Sequence, residues 1–119
     1  MKTHKIKTWQ DAFKKLGLST KTLPDVSRLP KKDKEATIAR YKVEKIVEAL
    51  NDGWEPNWDD SNENKYYPWF YMKGGFSFYS VYCYYSRTGV GSRLVFKNYE
   101  LAEYAAKKFL PLYKKFMTK

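Results

Sequence analysis

Two adjacent glycines, Gly74 and Gly75, separate two runs rich in aromatic and β-branched residues, Lys65–Lys73 and Phe76–Ser86, and no other local pattern leaves the chain less freedom. A two-residue Gly-Gly connection suits the twist of an antiparallel hairpin and places the residues that flank it directly opposite each other. The register predicted from it pairs Lys73 with Phe76, Tyr71 with Phe78, Trp69 with Ser80, Tyr67 with Tyr82 and Lys65 with Tyr84. Pro68 then falls at a non-hydrogen-bonded pair, so its missing N–H points off an edge strand, where proline is tolerated.

A third short run, Ser92–Lys97, follows the turn Arg87-Thr88-Gly89-Val90-Gly91, and the three together read as a meander. Side chains alternate across a sheet. One face should therefore collect Tyr66, Phe70, Met72, Tyr79, Val81, Cys83, Leu94 and Phe96, and seat the helices. The other should collect Lys65, Tyr67, Trp69, Tyr71, Lys73, Phe76, Phe78, Tyr82, Tyr84, Arg93 and Lys97, a field of rings edged by cations. Residues 65 to 98 contain no acidic residue.

Helical periodicity frames these strands. A short helix is expected from Trp9 to Leu16, opened by Thr8 with Asp11 three residues on as a capping box and closed by Gly17. Its apolar stripe is Trp9, Ala12, Phe13 and Leu16. After a linker with two prolines, a long helix from Pro30 to Asn51 buries Ala36, Ala39, Val43, Ile46, Val47 and Leu50, with Gly53 beyond its end. Lys31, Lys34, Lys42 and Lys45 lie largely off that stripe. A last helix starts near Asn98, buries Leu101, Ala105, Phe109, Leu112 and Phe116, and should kink or split at Pro111. The expected architecture is a single α+β domain over residues 1–119: short N-terminal helix, long helix, three-stranded antiparallel meander, and a C-terminal helix packed on one sheet face.

Composition narrows the function class. A lone cysteine, Cys83, excludes an internal disulfide, and the first residues lack the apolar run of a signal peptide, which together favour a reducing, cytoplasmic setting. No run approaches a membrane span, so no membrane partner is expected. The formal net charge of +10 creates a field that favours polyanions.

Signatures of chemistry are missing. The acidic loop Asp59-Asp60-Ser61-Asn62-Glu63-Asn64 fails as a calcium loop in either frame, because Lys65 stands where glycine is needed and Tyr71 or Pro68 where a bidentate glutamate is needed. Gly89-Val90-Gly91-Ser92-Arg93 leads into a strand rather than a helix and lacks the Walker lysine, so it reads as a turn. The single histidine, His4, lies at the terminus, Cys83 falls on the helix-facing side, and Asp59, Asp60 and Glu63 read as a solvated loop. No enzyme, cofactor or metal is expected.

Two stretches, Leu50 to Asn62 with Lys65-Tyr66-Tyr67-Pro68-Trp69-Phe70, and Gly91 to Phe96 with Glu100 to Tyr104, resemble an uncharacterised family of small proteins encoded by gut bacteria and their phages or mobile elements. That family brings no assigned activity, so the resemblance transfers no residue role; it implies a host-cytoplasmic setting if the chain is phage-encoded. The expectation drawn from the residues themselves is a non-enzymatic binder of single-stranded nucleic acid or nucleotides, with Tyr67, Trp69, Tyr71, Tyr82 and Tyr84 offering rings and Lys65, Lys73, Arg93 and Lys97 meeting phosphate. Two alternatives stay open: a protein-interaction, homo-oligomer or virion-assembly face built on the same rings, and a sheet covered on both sides by the helices or the tryptophan loop.

Overall fold

The computed structural model describes residues 5–118 and shows an α+β arrangement of four helices and a two-stranded antiparallel sheet. His4 lies outside the described residues. The helices are α1 (Trp9–Lys15), α2 (Lys31–Asn51), α3 (Tyr99–Lys108) and α4 (Leu110–Met117); the strands are β1 (Lys65–Tyr71) and β2 (Ser77–Tyr84).

Helix α1 starts where its capping chemistry places it. The Thr8 hydroxyl accepts from the Asp11 amide at 3.1 Å, and the Asp11 carboxylate accepts from the amides of Thr8 and Lys7. Gly17 then turns left-handed at φ 73°, a conformation glycine adopts without strain. Ala12 and Phe13 are fully buried against α2, and the Lys42 ammonium sits 4.1 Å from the Trp9 ring centroid, tying α1 to α2 through a residue the stripe placed outside the contact.

Helix α2 runs from Pro30 as its N-cap to Asn51, burying Ala39, Val43, Ile46, Val47 and Leu50. It packs against α1 and α4, while α3 lies across both strands. The last helix is in fact two. Asn98 caps α3 through the Leu101 amide at 2.9 Å, the backbone breaks at Phe109, and Pro111 falls in the first turn of α4, where its missing N–H costs nothing. Phe109 and Tyr113 join Phe96, Val43, Ile46 and Leu101 in one core.

The hairpin register follows expectation for Lys65 with Tyr84, Tyr67 with Tyr82, Pro68 with Val81 and Trp69 with Ser80. It then slips. One extra residue in β2 makes a bulge, so Phe70 pairs with Phe78 and Tyr71 with Ser77, and the connection spans Met72 to Phe76 rather than two glycines.

The expected third strand is not formed, so among the described residues the hairpin does not extend into a meander. Ser92–Leu94 is a 3-10 turn, and the single bridge beyond it joins Phe96 to Tyr66 of β1, on the side of β1 away from β2. Two features explain the difference. Gly91 takes φ 78° with ψ −178°, a region reserved for glycine, and redirects the chain. The buried side chain of Asn51 then occupies the outward side of the segment: its amide donates to the Val95 carbonyl at 2.9 Å and its oxygen accepts from the Lys97 amide at 3.0 Å. A side-chain amide thus imitates a neighbouring strand for one residue pair.

Candidate ligand-binding face

The face of the hairpin opposite the helices carries six rings in one continuous file. Tyr84 stacks on Tyr67 with centroids 5.7 Å apart, Tyr67 meets Trp69 at 6.4 Å, and Trp69 stacks on Tyr82 at 5.1 Å with 26° between planes. Tyr82 continues to Tyr79 at 6.2 Å, and Tyr79 meets Tyr71 edge-on at 4.8 Å. Such offset and T-shaped contacts are the favoured geometries of aromatic pairs.

The bulge decides which rings belong to this file. Tyr79, expected on the helix side, is turned outward; Phe76 and Phe78, expected outward, are turned to the helix side. Phe76 stacks on Phe70 at 4.6 Å, and the Lys107 ammonium of α3 lies 5.5 Å from the Phe78 ring centroid. Met72, expected toward the helices, is exposed in the connection. Period-two reading cannot foresee a bulge, because the extra residue leaves no compositional mark in an all-aromatic strand.

Five of the six rings are open to solvent, with Trp69 46 % exposed and Tyr82 40 %. Tyr67 is not: it is only 6 % exposed, held between Trp69 and Tyr84, so it supports the file from beneath rather than offering a surface. The Tyr82 phenol is raised above its usual pKa near 10.0, first by the hydrogen bond with Tyr79 and then by partial desolvation. Burial raises the Tyr67 phenol in the same direction. Both stay protonated at neutral pH, and neither contributes charge to the face.

The cations expected along the edge are elsewhere. Lys65 is 1 % exposed, and its ammonium donates to the carbonyls of Asp60 and Glu63, each at 3.1 Å, and to that of Tyr85, with the Glu63 carboxylate 3.3 Å away and the Trp58 ring beneath it. All three of its donors are engaged. It anchors the Trp58–Asn64 loop over one end of the sheet, so the tryptophan loop does cover that end and no phosphate can reach Lys65. Arg93 is displaced with the lost third strand and reaches the Glu44 carboxylate of α2 at 3.5 Å. Lys97 lines a cleft with Lys5, Lys14 and Asn98 between α1 and the start of α3, away from the rings. Lys73 alone of the four stays exposed on the hairpin, at its tip.

Two of the three loop carboxylates are engaged locally. Asp60 accepts from the Asn62 amide at 2.9 Å, and Glu63 accepts from the Asn57 amide at 2.7 Å besides pairing with Lys65. Trp58 donates its indole N–H to Ser92 at 2.7 Å, which joins this loop to the 3-10 turn. Cys83 is half-buried on the helix side. Among the described residues no three His, Cys, Asp or Glu side chains converge in a metal-ligating cluster, and no helix is long and apolar enough to cross a membrane.

Comparison with protein-family models, with curated proteins and with solved structures found no match.

Proposed function

We propose that the protein is a non-enzymatic binder of single-stranded nucleic acid or nucleotides, and that the ligand stacks on Trp69, Tyr71, Tyr79, Tyr82 and Tyr84. The observation that carries this reading is the uncharged, exposed ring file on a chain of net charge +10. A base gains about 1–3 kcal/mol from stacking on an aromatic side chain whatever its identity. The field of the whole chain supplies attraction at a distance, while the rings hold the ligand at contact. The engagement of Asp60 and Glu63 in loop hydrogen bonds, and of Lys65 in anchoring, supports binding over catalysis. The resemblance to small proteins of gut bacteria and their phages is compatible with this proposal.

Quenching of tryptophan fluorescence by short single-stranded oligonucleotides tests it. Trp69 is one of four tryptophans and the one in the file, so quenching should be partial, saturable and abolished by Trp69→Ala, while Tyr71→Ala and Tyr82→Ala weaken it. Quenching that persists unchanged in Trp69→Ala would place the ligand elsewhere.

A second reading, a protein-docking face built on the same rings, is favoured by one observation: the displacement of Lys65, Arg93 and Lys97 leaves the rings without the phosphate contacts first expected. Tyrosine-rich, charge-poor patches suit protein contacts. Capture of a protein partner that is lost in Tyr82→Ala, together with no response to oligonucleotides or nucleotides, would favour it.

A further inference from the structure

The cavity between α2, α4 and the linker that precedes α2 has a floor and a rim of different chemistry. Val26 of the linker, Ile38 and Ala39 of α2 and Leu112 of α4 make an apolar floor to a space of about 230 Å³. An apolar cavity of about 150 Å³ already admits benzene, so this one has room for a single ring and one polar substituent. None of its lining residues belongs to the ring file on the hairpin.

The rim is cationic. Lys34, Ile38 and Lys42 follow one another at four-residue steps, which puts two lysines on one row of α2 with the apolar contact between them, and Lys115 joins them from α4. Lys34 and Lys42 are half-buried, and among the described residues no carboxylate pairs with either; Lys42 has only the Trp9 ring. The single acid of the rim, Glu35, has its side chain 64 % exposed and meets Lys115 at 3.8 Å, a pairing that contributes little in water. Asp25, beside Val26 on the linker, is turned to the Ser27 amide at 3.0 Å. Three ammonium groups against one loosely held carboxylate leave the rim short of negative charge. The Lys42 amine is affected in the same sense: burial, and then the charge of Lys115, holds it below its usual pKa of 10.5.

We propose that this cavity binds a small aromatic carboxylate, the ring lying on Val26, Ile38 and Leu112 and the carboxylate between Lys34 and Lys115. The floor offers a ring no hydrogen-bond donor, so the body of the ligand must be apolar; the rim offers donors that lack an acceptor, so its head must be an anion. Inorganic phosphate would meet the same lysines but leave the floor wet, whereas an aromatic carboxylate removes both the apolar surface and the excess charge from water. This inference stands whether or not the ring file binds nucleic acid.

Amide chemical shifts of the whole chain, followed by NMR during titration with benzoate, test it. Saturable shifts are expected at residues 26, 34–42 and 112–115 with half-saturation at about 1 mM or below, while the amides of β1 and β2 stay unmoved. Benzamide has the same shape without the charge and should bind about tenfold more weakly. Inorganic phosphate has the charge without the ring and should give no saturable shift at these residues. Lys34→Met and Lys115→Met each keep a long apolar stem on a helix surface; each should weaken benzoate about threefold and leave benzamide unchanged. Either variant carries the test should the other fold poorly. Equal affinity for benzoate and benzamide, saturable binding of phosphate, benzoate affinity unchanged in both variants, or shifts centred on β1 and β2 would each overturn the proposal. So would the lack of saturation by benzoate up to about 20 mM.

Discussion

An ammonium group removed from water must find oxygen for each of its three protons, and Lys65 finds the carbonyls of Asp60, Glu63 and Tyr85 with the Glu63 carboxylate in addition. Its role is thus to tie an acidic loop to the first residue of β1. Lys65→Met would leave those acceptors without a donor, and we expect a loss of about 3 kcal/mol in urea unfolding with faster amide exchange in residues 58–64. Because the ammonium is buried, the stability difference between the two forms should change little with salt. Tyr113 presents the opposite case: its ring packs against Phe70 at 5.0 Å, but its buried hydroxyl has no hydrogen-bond partner among the described residues, and burial pushes the phenol well above its usual pKa. Tyr113→Phe removes only that hydroxyl, so thermal unfolding should show equal or greater stability, by about 1 kcal/mol. Alternation along β1 correctly groups Lys65 with Tyr67 and Trp69, but it says only which way a side chain points. What lies above it, here the Trp58 loop, is a tertiary fact with no period-two signal.

At the scale of elements, Asn51 is the joint on which the segment after the 3-10 turn depends. Its amide holds Val95 and Lys97 where a further strand would otherwise be needed, and α2 thereby fixes the distance between itself and β1. Asn51→Leu keeps the volume but leaves a buried carbonyl unpaired; we expect a loss of about 2–3 kcal/mol, with deprotection of residues 92–97 preceding that of β2 in hydrogen exchange. Helix α1 responds to pH in a defined sense. The Lys7 amide, followed by Thr8, holds the Asp11 carboxyl below its usual value of 3.8, so the capping contribution is present above that value and is lost as pH falls through the lower folded value. Acid unfolding of α1 should therefore lose a component in Asp11→Asn, and Thr8→Ala should lower stability by about 1 kcal/mol at neutral pH. Elements with local chemistry were readable in this way: the Thr8 box, Pro30, the Asn98 cap and the break before Pro111 all depend on neighbours in sequence. The third strand was not, since Ser92–Lys97 carries strand-like composition but its partners, Tyr66 and Asn51, are about 30 and 44 residues away. The bulge at Tyr79 escaped for a related reason, as every residue on either side of it is compatible with both faces.

For the whole molecule, the proposed binding would draw on both its charge and its rings. Of the four cations expected beside the rings, one is buried, one is paired with Glu44 and one faces the cleft near α1, which leaves Lys73 at the hairpin tip. Each phosphate neutralised in a single-stranded complex contributes a slope of about −0.7 to the logarithm of affinity against the logarithm of salt. A ligand held by stacking beside one exposed lysine should therefore show a slope of roughly −1 or shallower, despite the net charge of +10, and Lys73→Ala should flatten it further. Trp69→Ala should lower affinity by about 1–3 kcal/mol at every salt concentration without changing the slope, because removing a ring removes no phosphate contact. A slope of about −3 or steeper would instead mean that several phosphates are neutralised at once, which the ring face cannot do with Lys65, Arg93 and Lys97 where they are. The binding surface would then have to be sought among the lysines of α1 and α2, and titrations of Lys14→Ala and Lys34→Ala would locate it.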